Sequence, residues 1–305
     1  MTQLSNGIIS IAVKEHGAEL SSIKKDGREY LWQADPEFWG RHSPVLFPIV
    51  GSVWQKTFRS HGKEYNMGQH GLARDLDFKL KSVSEDEVWY CLESSPDSLE
   101  KYPYEFILEI GYRIEGSSIK VMWKVQGRGN EAMAFQIGAH PAFHWPLLSD
   151  EAIAQGTGAM KKELSATKQR GWFRLAAMAT EIVASQIKEA GCIDPCIKNT
   201  HKLDDGYMPL DTESFNNDAL IFEDSQVNSV TLCKQDKTPY LTLTFDAPVV
   251  GLWSCPGKNA PFVCIEPWYG RTDDVQYSGM FEDRKWMQKL APGEEFNGSY
   301  TIEIH

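Results

Sequence analysis

No apolar run in this chain reaches the roughly 18 residues that a membrane-spanning helix needs, so a helical anchor is not expected. Residues 1–6 form neither a basic nor an apolar region, and no signal peptide is evident. Runs of five or six like charges are missing, which removes charged interaction tails. With 31 Lys and Arg against 42 Asp and Glu, the net charge of −11 argues against nucleic acid, whose phosphates are bound by clustered basic side chains. Cysteine is sparse. Cys91, Cys192, Cys196, Cys233, Cys255 and Cys264 contain no paired CxxC spacing, and Cys192 and Cys196 have no nearby His or Cys pair to complete a zinc site. They read as reduced, mostly buried thiols, in keeping with a cytoplasmic protein. There is no phosphate-binding glycine loop and no GxSxG elbow. Internal repeats, low-complexity tracts and linkers rich in Pro, Gly or Ser are also missing. One continuous domain over residues 1–305, without metal or cofactor, is expected.

Aromatic residues, by contrast, are plentiful, at 10 Trp, 11 Tyr and 14 Phe. Such rings suit broad sheets and also stack on sugars, but core packing accounts for most of them. Residues 8–13 are short and β-branched, residues 18–24 alternate loosely, and Asp26-Gly27 carries a hairpin-turn signal leading into residues 29–32. Residues 43–51 are apolar and contain Pro44 and Pro48, which suits a sheet edge or a packed loop. The clearest pattern is Phe106, Leu108, Ile110, Tyr112 and Ile114, then a turn at 115–118, then Ile119, Val121, Trp123 and Val125. That predicts an antiparallel hairpin with one apolar face. Further strands are expected at 87–93, 229–233, 240–245, 249–253, 262–266 and 299–304. Residues 175–189 fit an amphipathic helix or a strand equally, and a short helix capped by Asp211 is expected before Asn216. Many short strands at roughly 10-residue spacing predict an all-β sandwich or barrel.

Polar residues in apolar settings stand out against this background. In residues 134–143, side chains alternate between two faces, so Gln136, Gly138 and His140 share one and Phe135, Ile137 and Ala139 the other. Gly138 leaves room beside the imidazole for a ligand or another backbone, and Pro141 ends regular pairing, which predicts His140 near a sheet margin. A lone histidine of this kind is usually structural; its company raises the functional reading. In Phe262-Val263-Cys264-Ile265-Glu266-Pro267-Trp268 the carboxylate shares a face with Phe262 and Cys264 at the end of an apolar strand. There it loses water, its pKa rises, and it suits a general base; the plainer alternative is a structural pairing with backbone or Arg271. His70 in Gln69-His70-Gly71-Leu72-Ala73-Arg74 and Asp218 before Ala219-Leu220-Ile221-Phe222 read by themselves as turn residues. Together these form His, His, Glu, Asp and Arg at strand margins, and a carboxylate facing an imidazole is a general acid–base pair that moves two protons without a cofactor.

At this point the sequence resembles the aldose 1-epimerases, or mutarotases, in particular their LacX-like branch. Five short anchors carry the resemblance across essentially the whole chain: Pro44-Val45-Leu46-Phe47-Pro48, residues 69–74, residues 138–143, residues 217–222 and residues 264–268. It implies a galactose mutarotase-like β-supersandwich of antiparallel sheets with few short helices and a sugar-binding cleft. It further implies Glu266 as the base that takes the anomeric hydroxyl proton, His140 as the acid that protonates the ring oxygen, and His70 as a second histidine that polarises a sugar oxygen. Asp218 falls where the family holds sugar hydroxyls. Since forward and reverse reactions need the pair in swapped states, both pKa values are expected near neutrality.

The pattern also departs from the sugar-specific galactose mutarotases, because His140 is followed by Pro141 and a second histidine, His144. The run His70-Gly71 to Ala73-Arg74 resembles the hexose-6-phosphate mutarotases as well. That makes Arg74, with Arg41, a candidate for binding a sugar phosphate, against the alternative that Arg74 pairs with Asp75 or Asp77. The expected partner is a sugar or sugar phosphate. A non-catalytic sugar-binding or sugar-sensing protein is the second reading, disfavoured because binding needs no matched acid and base. The third is another carbohydrate enzyme on a similar sandwich, such as a lyase, or a hydrolase using Asp218 and Glu266 as opposed carboxylates.

Overall fold

The computed structural model describes residues 1–146, 148–166 and 168–305. The long hairpin forms as the alternation predicts. Strands Phe106–Glu115 and Ser118–Gly127 pair antiparallel with Ile110 opposite Trp123, and the apolar set of each is buried. They lie in a nine-stranded sheet between Glu87–Glu93 on one side and Glu295–Ile304 on the other. Beyond Glu295–Ile304 follow Pro239–Phe245, Ser229–Cys233, Gln169–Leu175 and Tyr207–Asp211.

A second, eight-stranded sheet carries the polar motifs. Its order runs Cys192–Lys202, Glu181–Glu189, Leu220–Phe222, Val249–Trp253, Phe262–Tyr269, Ile137–Ala139 and Val45–Leu46, with Ala142–His144 also paired to Phe262–Tyr269. Strand Phe262–Tyr269 is therefore central, and seven of its eight residues are buried. A four-stranded sheet of N-terminal strands completes the larger units. Aromatic and β-branched side chains from these sheets merge into one large apolar cluster.

Within residues 175–189, Leu175 ends one strand, 176–180 connect, and Glu181–Glu189 is a second strand that buries Ile182 and Ala184 while Glu181 and Val183 face out. Ala176, Ala177 and Ala179 fall in the connection, and pairing on both sides with Cys192–Lys202 and Leu220–Phe222 outweighs the weak helix preference of Ala184. No helix follows Asp211. Its Oδ1 accepts from the Glu213 N–H at 2.8 Å in capping fashion, but the chain continues as turns to Asp218. Helices form instead at Asp150–Gln155 and Thr157–Ser165, which no strong periodicity announced. All six cysteines are free, and among the described residues no helix is long and apolar enough to cross a membrane.

Candidate active site

His140 owes its position to a gap in a strand. Ile137–Ala139 and Ala142–His144 both pair with Phe262–Tyr269, the first at Trp268 and Tyr269 and the second at Phe262 to Cys264. Pro141 cannot donate to the ladder, and the interruption it causes falls opposite Glu266. The backbone is still anchored, because the His140 N–H donates to the Pro44 carbonyl and the Ile265 N–H to the Pro141 carbonyl. His140 thus lies at a break inside the sheet and not at its margin, contrary to the sequence-based expectation; pairing resumes at Ala142.

The gap brings the imidazole against the carboxylate. His140 Nε2 is 3.2 Å from Glu266 Oε2, and Glu266 Oε2 completes no hydrogen bond with any described residue. Arg271, the alternative partner for Glu266, is taken by Glu223 at 3.1 Å and Asp274 at 2.8 Å. Burial raises the Glu266 carboxyl well above the usual range, and the charge of Asp218 adds to the rise. Burial pushes His140 down to about 3, helped by the positive charges of Arg74 and Arg41. The two values are driven apart, not gathered near neutrality, because both groups lose water and each resists its own charged form. A single proton held by the pair avoids both of these charges.

Around the pair is a cavity of about 340 Å³. Trp39 stacks on the His140 ring at 4.7 Å between centroids, Trp253 meets its edge at 5.4 Å, and His70 is perpendicular to it at 5.4 Å. His70 is held by its own backbone, which sits at φ 65 with its N–H donating to the Gly51 carbonyl at 2.7 Å. Its Nδ1 accepts from the Gly51 N–H at 3.1 Å, so the neutral ring carries its proton on Nε2 as a donor. Burial lowers the His70 pKa well below the ordinary value, with the charges of His140, Arg74 and Arg41 acting in the same sense. Gly71 makes the turn possible. It has φ 77, and a Cβ there would lie 2.2 Å from the Phe47 carbonyl oxygen.

Asp218 lines the same cavity just before strand Leu220–Phe222, with φ 73 and its Oδ1 accepting from the Ala219 N–H at 2.8 Å. Arg74 lines it as well. Its Nη2 donates to the Gln69 carbonyl at 2.8 Å, while Nε, 3.8 Å from Asp75, has no hydrogen-bond partner among the described residues. Burial lowers its pKa to about 10, with Arg41 adding to the effect. Arg41 itself is not part of the lining; it bonds Asp75 at 2.7 Å, and Asp77 is occupied by His16. Five of the six residues singled out from sequence thus converge on one cavity, and Arg41 reaches it only through its charge.

Sequence reasoning missed the aromatic walls Trp39 and Trp253, along with Trp268 and Thr272. Trp268 was legible, since it lies two residues from Glu266 and therefore on the same strand face. Trp39 sits in a loop with no periodic signal. At Gly138 a backbone does approach, the Pro267 carbonyl oxygen lying 3.2 Å from where a Cβ would be, but the space is filled mainly by the Trp268 side chain, which was not expected.

His140, Cys264 and Glu266 are the one buried group of possible metal donors found among the described residues, their ligand atoms lying within 4.8 Å of one another. A soft divalent ion there would take both members of the proton-sharing pair. Metal binding and proton transfer at this position are therefore mutually exclusive.

Known proteins resemble this chain over its full length. A family model described as aldose 1-epimerase matches residues 1–302. Protein LacX (chromosomal) of Lactococcus lactis subsp. lactis is 32% identical over 316 aligned residues, covering 99% of this chain and 98% of the relative. Among solved structures, a galactose mutarotase related enzyme from Lactobacillus acidophilus superposes with a TM-score of 0.88 at 30% identity, covering 100% of this chain and 97% of its own. A galactose mutarotase-like protein from Lactobacillus casei ATCC 334 gives a TM-score of 0.87 at 25% identity, with both chains fully covered. The stacked antiparallel sheets are the galactose mutarotase-like sandwich that the sequence resemblance implied.

Proposed function

The chain belongs to the aldose 1-epimerase family, and we propose that it interconverts the α and β anomers of a hexose or hexose phosphate by general acid–base catalysis. The observation that carries this reading is the approach of His140 Nε2 to Glu266 Oε2 at 3.2 Å, buried and facing a cavity. Glu266 takes the proton of the anomeric hydroxyl while His140 protonates the ring oxygen, and the C1–O5 bond breaks to give the open-chain aldehyde. Rotation about C1–C2 and closure on the other face return both protons. A pair holding one proton suits this cycle. Ionised Glu266 beside protonated His140, and protonated Glu266 beside neutral His140, are tautomers, and each direction starts from one of them.

The remaining residues have matching roles. His70 offers its Nε2–H to a sugar oxygen as charge develops there. Asp218 accepts from hydroxyls. Arg74 has donor capacity left after its bond to the Gln69 carbonyl, which suits either a hydroxyl or a phosphate oxygen. Trp39 and Trp253 supply faces on which a sugar ring packs.

Polarimetry on freshly dissolved α-glucose, α-galactose and glucose 6-phosphate, with wild type and His140→Asn in parallel, tests the proposal. Accelerated mutarotation that the substitution removes is expected, and the fastest sugar identifies the substrate class. No acceleration on any of them, with binding still measurable by calorimetry, would replace it with a non-catalytic sugar-binding protein.

A further inference from the structure

The Trp268 indole lies across two glycines on the two strands that flank its own. A Cβ at Gly138 would sit 2.6 Å from Cδ1, and one at Gly251 would sit 2.6 Å from Cη2 and 2.7 Å from Cζ2. Gly138 pairs directly with Trp268, and Gly251 with Glu266. Cδ1 and Cζ2 flank Nε1 along one edge of the indole, so the two glycines together fix the edge that carries the N–H. Any side chain at either position would push that edge aside.

The N–H held in this way is near enough to the Glu266 carboxyl to lower its pKa, yet it completes no well-formed hydrogen bond. Trp268 Nε1 is buried and makes no hydrogen bond to any described residue, and Glu266 Oε2, two residues away on the same face, likewise has none. A buried donor without an acceptor is unfavourable by roughly 1–3 kcal/mol. Two such groups side by side, one held by an open slot in the sheet, point to a bond that forms in another protonation state.

We propose that Trp268 is a positioning residue whose indole N–H bonds the Glu266 carboxylate when that group is ionised. The bond holds the free lone pair of Glu266 toward the sugar and favours the tautomer in which Glu266 is ionised and His140 protonated. The inference rests on the acid–base reading above. Four groups face Glu266: His140 across the strand gap, Asp218 from the end of Leu220–Phe222, Cys264 on its own strand, and Trp268. Asp218 opposes ionisation, and Trp268 is the one group that lowers the carboxyl's pKa. Arg74, Arg41 and His70 bear on the pair from the His140 side.

The test replaces Trp268 with β-(3-benzothienyl)alanine, which keeps the ring shape and removes the donor. Two readouts are taken. The first is the pH titration of the protonated Glu266 carboxyl by its infrared C=O band, assigned with Glu266→Gln. The second is the pH profile of kcat. Loss of a charge-assisted bond should raise the carboxyl midpoint by roughly one to two pH units and lower kcat roughly 10- to 100-fold, with KM changed little. The alkaline limb of kcat should move upward with the midpoint, since the last proton then leaves the pair at higher pH. Gly138→Ala and Gly251→Ala, which displace the indole from its two ends, should shift the midpoint in the same direction. An unmoved midpoint overturns the inference, as does a rise in KM alone, which would assign the N–H to the sugar. If wild type proves inactive on every sugar while the midpoint still moves, the donor role stands and the epimerase reading falls.

Discussion

Glu266 Oε2 and His140 Nε2 are 3.2 Å apart and buried, yet Glu266 Oε2 completes no hydrogen bond with any described residue. Burial penalises the charged form of each, and a single proton between them avoids both charges. The chemistry proposed for the cavity depends on moving that proton through a sugar instead of directly across the gap.

Replacing Glu266 with Gln preserves shape and removes the proton acceptor. The kcat of Glu266→Gln should fall roughly 10²- to 10⁴-fold, the usual contribution of a positioned acid or base, while calorimetry finds sugar affinity within a few-fold of wild type. Near-normal turnover would remove Glu266 from the chemistry.

Arg74 and Arg41 separate by what they touch. Arg74→Ala should raise KM for a sugar phosphate roughly 10- to 100-fold, the value of a charge-assisted bond, and affect a free sugar far less. Arg41→Ala should do little, because Arg41 is bonded to Asp75 outside the cavity lining. Equal losses on both sugars for Arg74→Ala would make it a structural residue.

His70 has a structural contact beside its proposed role. Its Nδ1 satisfies the buried Gly51 N–H, so His70→Ala should lower stability by about 1–3 kcal/mol in a urea titration as well as slowing turnover. A variant of unchanged urea midpoint would show that another acceptor replaces the ring.

His144 lies outside the cavity, packed edge-on to Trp32 with neither ring nitrogen hydrogen-bonded to any described residue. Burial pushes its pKa down to about 4, and the charge of Arg28 acts in the same sense. In the unfolded chain the ring protonates near 6.5, so between pH 6.5 and 4 the unfolded state binds the extra proton and stability is lost as pH falls, on the order of 3 kcal/mol in all. His144→Phe should flatten that acid loss in denaturation curves taken across the window. An unchanged slope would mean the ring is protonated in the folded protein.

Much of this was legible in the residues. The alternation at Phe106 to Val125 translates directly into a paired hairpin, because a one-residue slip would turn every apolar side chain to the wrong face. Glu266 in an apolar strand announced a desolvated carboxyl, although the strand runs on through Tyr269 and does not end at the carboxylate as expected. What the sequence could not convey is non-local. That Pro141 interrupts a strand directly opposite Glu266 depends on register, and Trp39 reaches His140 from a loop without periodicity. The glycine at 138 signalled close approach correctly but not its occupant, since Trp268 is 130 residues away in sequence. The strand at Glu181–Glu189 was ambiguous because the alanines at and before it (Ala176, Ala177, Ala179, Ala184) favour helix and only its neighbours decide otherwise.

The gap at His140 and Pro141 is bounded on both sides by residues paired to the same central strand. An imidazole held in this way has no hinge: neither end of its segment can swing without unzipping the sheet. The approach of His140 to Glu266 is therefore set once, when the chain folds. On the proposed chemistry it is the ligand that turns its anomeric carbon between them.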